Sequence, residues 1–131
     1  MLKKAGLGFI LCLLMVFVLA ACGGPSSATL ELSNRGESDI TLKSVAIGGQ
    51  VHLEKDMALK SDKENTSVAG SSYTTAFSGT DKVPVVLVLY DPALGGTVTY
   101  EAELEMPKKK AAVHFKLLYG YGQIVTVTTI E

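Results

Sequence analysis

The chain has 131 residues, with 12 Lys or Arg against 13 Asp or Glu, so its formal net charge is −1 at pH 7. Without an excess of basic residues to neutralise phosphates, nucleic acid is excluded as an expected partner. The length is enough for one domain with a single core and short for two.

The N-terminus predicts a secretory targeting segment. Lys3 and Lys4 form a short positive region, and the uncharged apolar run over 5–20 has the length of a signal-peptide core. The run closes with Leu19-Ala20-Ala21-Cys22, which resembles the lipobox of bacterial lipoproteins. The resemblance implies cleavage just before Cys22 and attachment of fatty acyl chains through its thiol.

Two alternatives stay open for this segment. An uncleaved transmembrane helix fits the uncharged run, which approaches the roughly 20 residues that a bilayer needs, although Gly23-Gly24-Pro25 follows it. Ordinary secretory cleavage would release a soluble protein with Cys22 as an unpaired thiol, which secreted proteins tend to avoid. Cys12 lies inside the apolar run and should leave with the signal peptide, so no disulfide is expected.

We therefore expect a lipoprotein signal peptide over 1–21, a lipidated Cys22 with a flexible tether over 22–28, and one β domain over 29–131. The expected location is the cell envelope. In Gram-negative lipoproteins Asp after the cysteine signals retention at the inner membrane, and this chain has Gly23 there. The resemblance therefore implies the outer membrane, facing the periplasm, in such a cell, and otherwise the outer face of the cell membrane.

Alternation of apolar and polar residues predicts strands in the second half of the chain. It is clearest over 97–106, where Thr and Glu alternate with apolar residues. The run 83–90 is almost entirely apolar, so we expect a central strand with both faces covered. Two further strands are predicted over 111–118 and 123–130.

The first half is less regular. Strands are predicted around 30–32, 40–47, 51–53 and 73–77, with a bulge near Lys43 or Ser44 that keeps the apolar residues of the second strand inward. Residues 56–65 are interpreted as a loop with one turn. The prediction is an all-β, antiparallel immunoglobulin-like β-sandwich of about seven or eight strands, with a small closed barrel as the alternative.

Motifs at both ends of the domain support the sandwich. The opening Leu30-Glu31-Leu32-Ser33-Asn34 with Ile40-Thr41-Leu42, and the later Tyr119-Gly120-Tyr121-Gly122, are similar to parts of small immunoglobulin-like domains of bacterial surface and periplasmic proteins. The resemblance implies the fold and no functional residues.

Catalytic and metal chemistry have little support in the sequence. No Gly-x-Ser-x-Gly elbow occurs, so we expect no enzyme and no cofactor. The two histidines, His52 and His114, are predicted to point away from the core. A metal site would need them to converge, with Met57, Met106 or a carboxylate as further ligands. We expect no metal.

Two clusters remain as candidate partner-binding sites. Lys108, Lys109 and Lys110 follow a proline and are predicted to form a positive hairpin tip, which is either a solvated turn or a contact for anionic headgroups. Tyr119 and Tyr121 alternate with glycines and are predicted either to form an exposed aromatic platform or to place one ring in the core.

These observations predict a membrane-anchored bacterial envelope lipoprotein. Its β domain would act as a non-enzymatic binding or assembly module for another envelope protein, and the lipid would supply the contact with the membrane. The alternative is a periplasmic carrier of a ligand or metal, which requires a pocket lined by His or Met.

Overall fold

The computed structural model describes residues 25–131, which form nine strands in two sheets packed face to face. The predicted signal peptide over 1–21 and the lipobox cysteine lie outside the described residues. The strands are β1 (Ser26–Asn34), β2 (Ile40–Ile47), β3 (Gln50–Leu53), β4 (Met57–Leu59), β5 (Ser72–Gly79), β6 (Lys82–Asp91), β7 (Gly96–Glu105), β8 (Ala112–Gly120) and β9 (Gln123–Ile130).

One sheet has the strand order β5-β1-β8-β9. The other has the strand order β3-β2-β6-β7, and its fifth strand, β4, also pairs with β2. Every strand pair is antiparallel except β1 with β8, which run parallel. The all-β sandwich is confirmed, whereas the closed barrel is wrong because the strands form two separate sheets. The immunoglobulin-like topology stays a prediction.

The core lies between the sheets and is filled from alternate positions of each strand. In β1, Leu30 and Leu32 are fully buried, and in β8 Phe115 and Leu117 are buried beside them. Burying each such side chain contributes roughly 1.5–3 kcal/mol relative to exposure. Phe115 stacks on Phe77 of β5 at 6.1 Å between ring centroids, so the same sheet is linked across three strands.

The predicted bulge in β2 is confirmed. Its register against β6 shifts between Leu42 and Ser44, and both Leu42 and Val45 are fully buried. Without one extra residue at this point, strict alternation would turn one of these two side chains outward.

Three predictions about individual segments are wrong. The tether was predicted to extend to residue 28, but β1 begins at Ser26, which is 1% exposed. The loop predicted over 56–65 contains β4, which pairs with β2 and buries Leu59. Strand β6 is central in its sheet, but only one of its faces is covered, because Pro84 and Tyr90 are exposed on the other.

The two ends of the sandwich carry different loops. The end where β1 begins, called the anchor end, also holds the loop 107–111, because Ala111 donates its backbone N–H to Ser26 Oγ (3.1 Å). The opposite end, called the distal end, holds the end of β1 at Asn34 and the turn between β8 and β9. Nine residues of β1 separate the two ends by about 30 Å.

Candidate functional site

Two arrangements were open for Tyr119 and Tyr121, an exposed aromatic platform or one ring in the core, and the structure has the second. Tyr119 continues the inward positions of β8 and is 1% exposed, whereas Tyr121 lies in the hairpin turn and is 71% exposed. The Tyr119 hydroxyl bonds to the Asp91 carboxylate, and its ring meets Tyr100 edge-on at 5.7 Å. One ring therefore fills the core, and only Tyr121 is presented to solvent.

Burial raises the pKa of the Tyr119 phenol well above its ordinary value, and the hydrogen bond to Asp91 and the nearby Tyr100 raise it further. The phenol stays protonated at any physiological pH and donates to the carboxylate. Asp91 is itself buried and also accepts from the backbone N–H of Ala93 (2.9 Å). Tyr119 and Asp91 therefore have a structural role, because they hold the β6–β7 connection against β8.

Tyr121 occupies an unfavourable backbone conformation. Its φ is 54° and that of Gly122 is 77°, the left-handed pair of a two-residue hairpin turn. Asn or Gly suits the first of these positions better than a bulky aromatic residue. Strained backbone of this kind is found disproportionately at binding sites, so the exposed ring is a candidate for recognition.

Leu94 extends the exposed surface around Tyr121. It lies in a short 3-10 turn, is 49% exposed and packs beside Gly122. We call Leu94 and Tyr121 the distal patch. The cavity next to this patch has a volume of about 90 Å³, far below the roughly 300–1,000 Å³ of small-molecule pockets. The distal patch therefore suits contact with a protein surface better than enclosure of a ligand.

Backbone contacts hold the distal end together. Asn34 is fully buried and donates from Nδ2 to the carbonyls of Ser38 (2.9 Å) and Leu59 (3.0 Å), while its Oδ1 accepts from Gly36 N–H (3.0 Å). A Cβ on Gly120 would lie 3.3 Å from the backbone of Arg35 and of Gly36, which leaves little room for a side chain. The segment that follows β1 thus meets the end of β8 beside Tyr121.

Asp62 orders the long loop between β4 and β5, and sequence reasoning missed it. Its carboxylate accepts from the backbone N–H groups of Thr66 (2.8 Å) and Ser67 (3.2 Å). Burial acts to raise the pKa of Asp62, but the hydrogen bonds from Thr66 and Ser67 and the charge of Arg35 outweigh it, so the pKa lies below its ordinary value. The spacing of an Asp four residues before Thr-Ser was the available signal.

The two histidines lie in different sheets. His52 was predicted to point away from the core, but it is half-buried at the edge between the sheets, where Nδ1 lies 3.1 Å from Thr75 Oγ1. The register shift between β2 and β3 changes which side chains of β3 face inward. His114 does point outward, with Nε2 3.5 Å from a Glu31 carboxylate oxygen.

A cavity beside His52 bears on the alternative of a ligand carrier. It has a volume of about 370 Å³ and is lined by Ile47, Gly48, Gln50, His52, Ala76, Phe77, Ser78 and Val83. No methionine lines it. Within residues 25–131 no group of three His, Cys, Asp or Glu side chains is placed to hold a metal ion.

Lys108, Lys109 and Lys110 are exposed in the loop 107–111 at the anchor end. They were predicted to form a hairpin tip, which is wrong because β7 and β8 belong to different sheets. The loop crosses from one sheet to the other, and its last residue is held against the start of β1. The structure therefore places the lysines beside the start of β1 and about 30 Å from Tyr121.

Comparison with known proteins adds little to this description. No family profile matches the chain, and no curated protein matches it. A solved structure with some similarity is a non-hemolytic pneumolysin from Streptococcus pneumoniae strain ST306, with 12% sequence identity and a TM-score of 0.36. The match covers 80% of this chain and 24% of the pneumolysin chain. Among residues 25–131, no helix is long and apolar enough to cross a membrane.

The different surroundings of the two tyrosines predict different responses to the same substitution. Tyr119→Phe removes a hydrogen bond to a buried carboxylate, so it should lower the free energy of unfolding by about 2 kcal/mol. Tyr121→Phe removes only an exposed hydroxyl and should change it by less than about 0.5 kcal/mol. Urea unfolding of both variants measures this, and equal effects would contradict the assigned positions.

Proposed function

We propose that the chain is a lipid-anchored protein of the bacterial envelope that binds another envelope protein through its distal patch and catalyses no reaction. The observation that carries this proposal is the position of Ser26. It begins β1 at the anchor end, four residues after the lipobox cysteine. A lipid on Cys22 would therefore leave the lysine loop against the membrane and point Tyr121 away from it.

The distance that the linking residues can cover supports a close approach to the membrane. Four residues span at most about 14 Å when fully extended. At that range the loop 107–111 would lie within about one or two Debye lengths of the headgroups. Clustered lysines near an anionic surface gain about 1 kcal/mol each, which would supplement the lipid and orient the domain.

The distal patch supports a protein partner. Tyr side chains offer a large, rigid apolar area with a polar tip, and such residues carry much of the binding energy in protein interfaces. Leu94 adds apolar surface beside Tyr121, and Glu37 lies at the rim of the adjoining cavity. The alternative, a ligand carrier, would instead use the cavity beside His52.

Lipid attachment is tested by Cys22→Ala. We expect the variant to move from the membrane fraction to the soluble envelope fraction and to lose incorporation of labelled fatty acid, because no other cysteine remains after residue 21. Ser26→Ala, which keeps the thiol, serves as the control and should fractionate with membranes. A Cys22→Ala protein that stays with membranes and still takes up the label would contradict the proposed anchor.

The lysine loop is tested with the unlipidated chain from residue 22 and vesicles of phosphatidylcholine with phosphatidylglycerol. Reversing Lys108, Lys109 and Lys110 to Glu should weaken co-sedimentation at least tenfold, because each lysine contributes about 1 kcal/mol.

The matched control reverses three exposed lysines on the segment 54–64, between the middle of the sandwich and its distal end: Lys55, Lys60 and Lys63. Both triple variants have the same net charge. Equal losses would show that total charge, and not the anchor end, controls membrane binding.

Partner binding is tested by placing a photocrosslinking amino acid at position 121 in the lipidated protein in its native envelope. We expect one discrete crosslinked species that disappears when Leu94 is also changed to Ser. The same amino acid at exposed Thr74, on the outer face of β5, is the control. Identical products from positions 121 and 74 would overturn the assignment of the distal patch.

A further inference from the structure

Strand β9 forms an edge of its sheet and leaves apolar side chains in solvent. It pairs with β8 on one side, and on the other side no described strand follows it. Val125, Val127 and Ile130 are 58%, 47% and 58% exposed. The strand contains no charged residue, no proline and no glycine. Natural proteins usually protect an edge of this length with such residues, because a bare edge pairs with other strands.

The other edges of the described sheets lack this combination of features. Strands β3 and β4 have only 4 and 3 residues. Strand β7 carries Glu101, Glu103 and Glu105 on its outer face, so pairing with its own copy would bring carboxylates together. Strand β5 is uncharged, but none of its large apolar side chains is among the exposed ones. β9 alone combines length, neutrality and exposed apolar groups.

The hydrogen-bonding pattern shows which backbone groups of β9 are available. Glu131 donates its N–H to the carbonyl of Ala112 on the β8 side (2.9 Å). Because successive residues of a strand direct their backbone groups to opposite edges, the odd-numbered residues of β9 bond to β8. The N–H and C=O groups of the even-numbered residues therefore point to the open edge: Ile124, Thr126, Thr128 and Ile130.

The residue pattern of β9 is nearly the same in both directions. Reading outward from Val127, Thr126 matches Thr128, Val125 corresponds to the isosteric Thr129, and Ile124 matches Ile130. An antiparallel pair centred on Val127 would place Thr opposite Thr and Ile opposite Ile. In that register the even-numbered residues form the hydrogen-bonded pairs, which agrees with the groups that point outward.

We propose that β9 pairs antiparallel with β9 of a second copy of this chain, about a two-fold axis that passes beside Val127. The two sheets join into one continuous sheet, and the interface is the same surface on both copies, as two-fold symmetry requires. A single strand edge buries less area than a stable interface of about 1,200–2,000 Å², so the association is weak and depends on concentration.

Antiparallel pairing inverts one copy relative to the other. Strand β9 ends at the anchor end, where Glu131 bonds to Ala112, so the two Ser26 ends leave the dimer in opposite directions. Resting on the proposed lipid anchor, this geometry lets copies on two facing membranes pair, about 30 Å apart.

The pairing is tested with the chain from residue 22 carrying Cys22→Ser, which contains the complete core. Sedimentation equilibrium should give a mass that approaches twice the monomer as concentration rises. Val127→Glu should abolish this increase, because two carboxylates would face each other at the axis. Its fold is retained because Val127 pairs with Lys116 on β8, and the melting temperature checks this. A wild type that stays monomeric at millimolar concentration overturns the inference.

Charge exchange separates pairing at β9 from a general loss of association. Val127→Lys alone should also be monomeric, whereas an equimolar mixture with Val127→Glu should restore the dimer. A mixture that stays monomeric, or a Val127→Glu variant that still dimerises, contradicts pairing at this residue.

The register is tested by a disulfide. Val127→Cys in the Cys22→Ser chain places two thiols opposite each other, with Cα atoms about 4.5 Å apart, within the range that a disulfide spans. Val125→Cys lies on the same face, but its two copies would be about 13 Å apart. Mild oxidation should therefore link the first variant at least tenfold faster than the second. Equal rates contradict the proposed register.

The inverted geometry is tested on vesicles. The wild-type chain from residue 22 is coupled through Cys22 to a maleimide lipid, and docking of vesicles is followed by light scattering. Wild type should dock vesicles and Val127→Glu should not. Vesicle docking by both the wild type and Val127→Glu would overturn the facing arrangement. A wild type that dimerises in solution but does not dock vesicles would also overturn it. The maleimide lipid replaces the native lipid in this assay. The assay therefore tests the pairing of β9 even if the chain is not lipidated in cells.

Discussion

The position of β1 inside its sheet is the constraint on which the remaining features depend. β1 forms one ladder with β5 and another with β8, so its direction is fixed along its whole length. The parallel pairing with β8 sets Ser27 beside Ala112 and Asn34 beside Tyr119. The lysine loop consequently lies where β1 begins, and the hairpin turn lies where β1 ends. The proposed orientation of the domain at the membrane follows from the pairing of β1 with β8.

Most strands could be predicted from local pattern, because a two-layer sandwich requires each strand to alternate. The alternation over 97–106 and the bulge in β2 both follow from the need to keep apolar side chains between the sheets. Alternation together with the end of the strand could have separated the two tyrosines. Tyr119 and Tyr121 both have the parity of buried Phe115, but Tyr121 follows Gly120, where the strand ends.

The remaining features depend on contacts between residues distant in sequence. The parallel pairing of β1 with β8 joins segments about 85 residues apart, and no local signal marks it. Strand β4 is three residues long and buries only Leu59 fully, so its pattern is too short to identify. The run 83–90 looked like a strand covered on both faces, because Val86 and Val88 occupy outward positions that a polar residue normally takes.

The tight backbone contacts at the distal end affect the thermodynamics of binding there. Asn34 and the close approach of Gly36 to Gly120 already order the segments beneath Tyr121 before any partner arrives. A partner that docks on this surface meets a preorganised base, and only the Tyr121 and Leu94 side chains lose conformational entropy. That loss amounts to about 0.5–1.5 kcal/mol for each immobilised side chain. A small contact area can consequently give useful affinity.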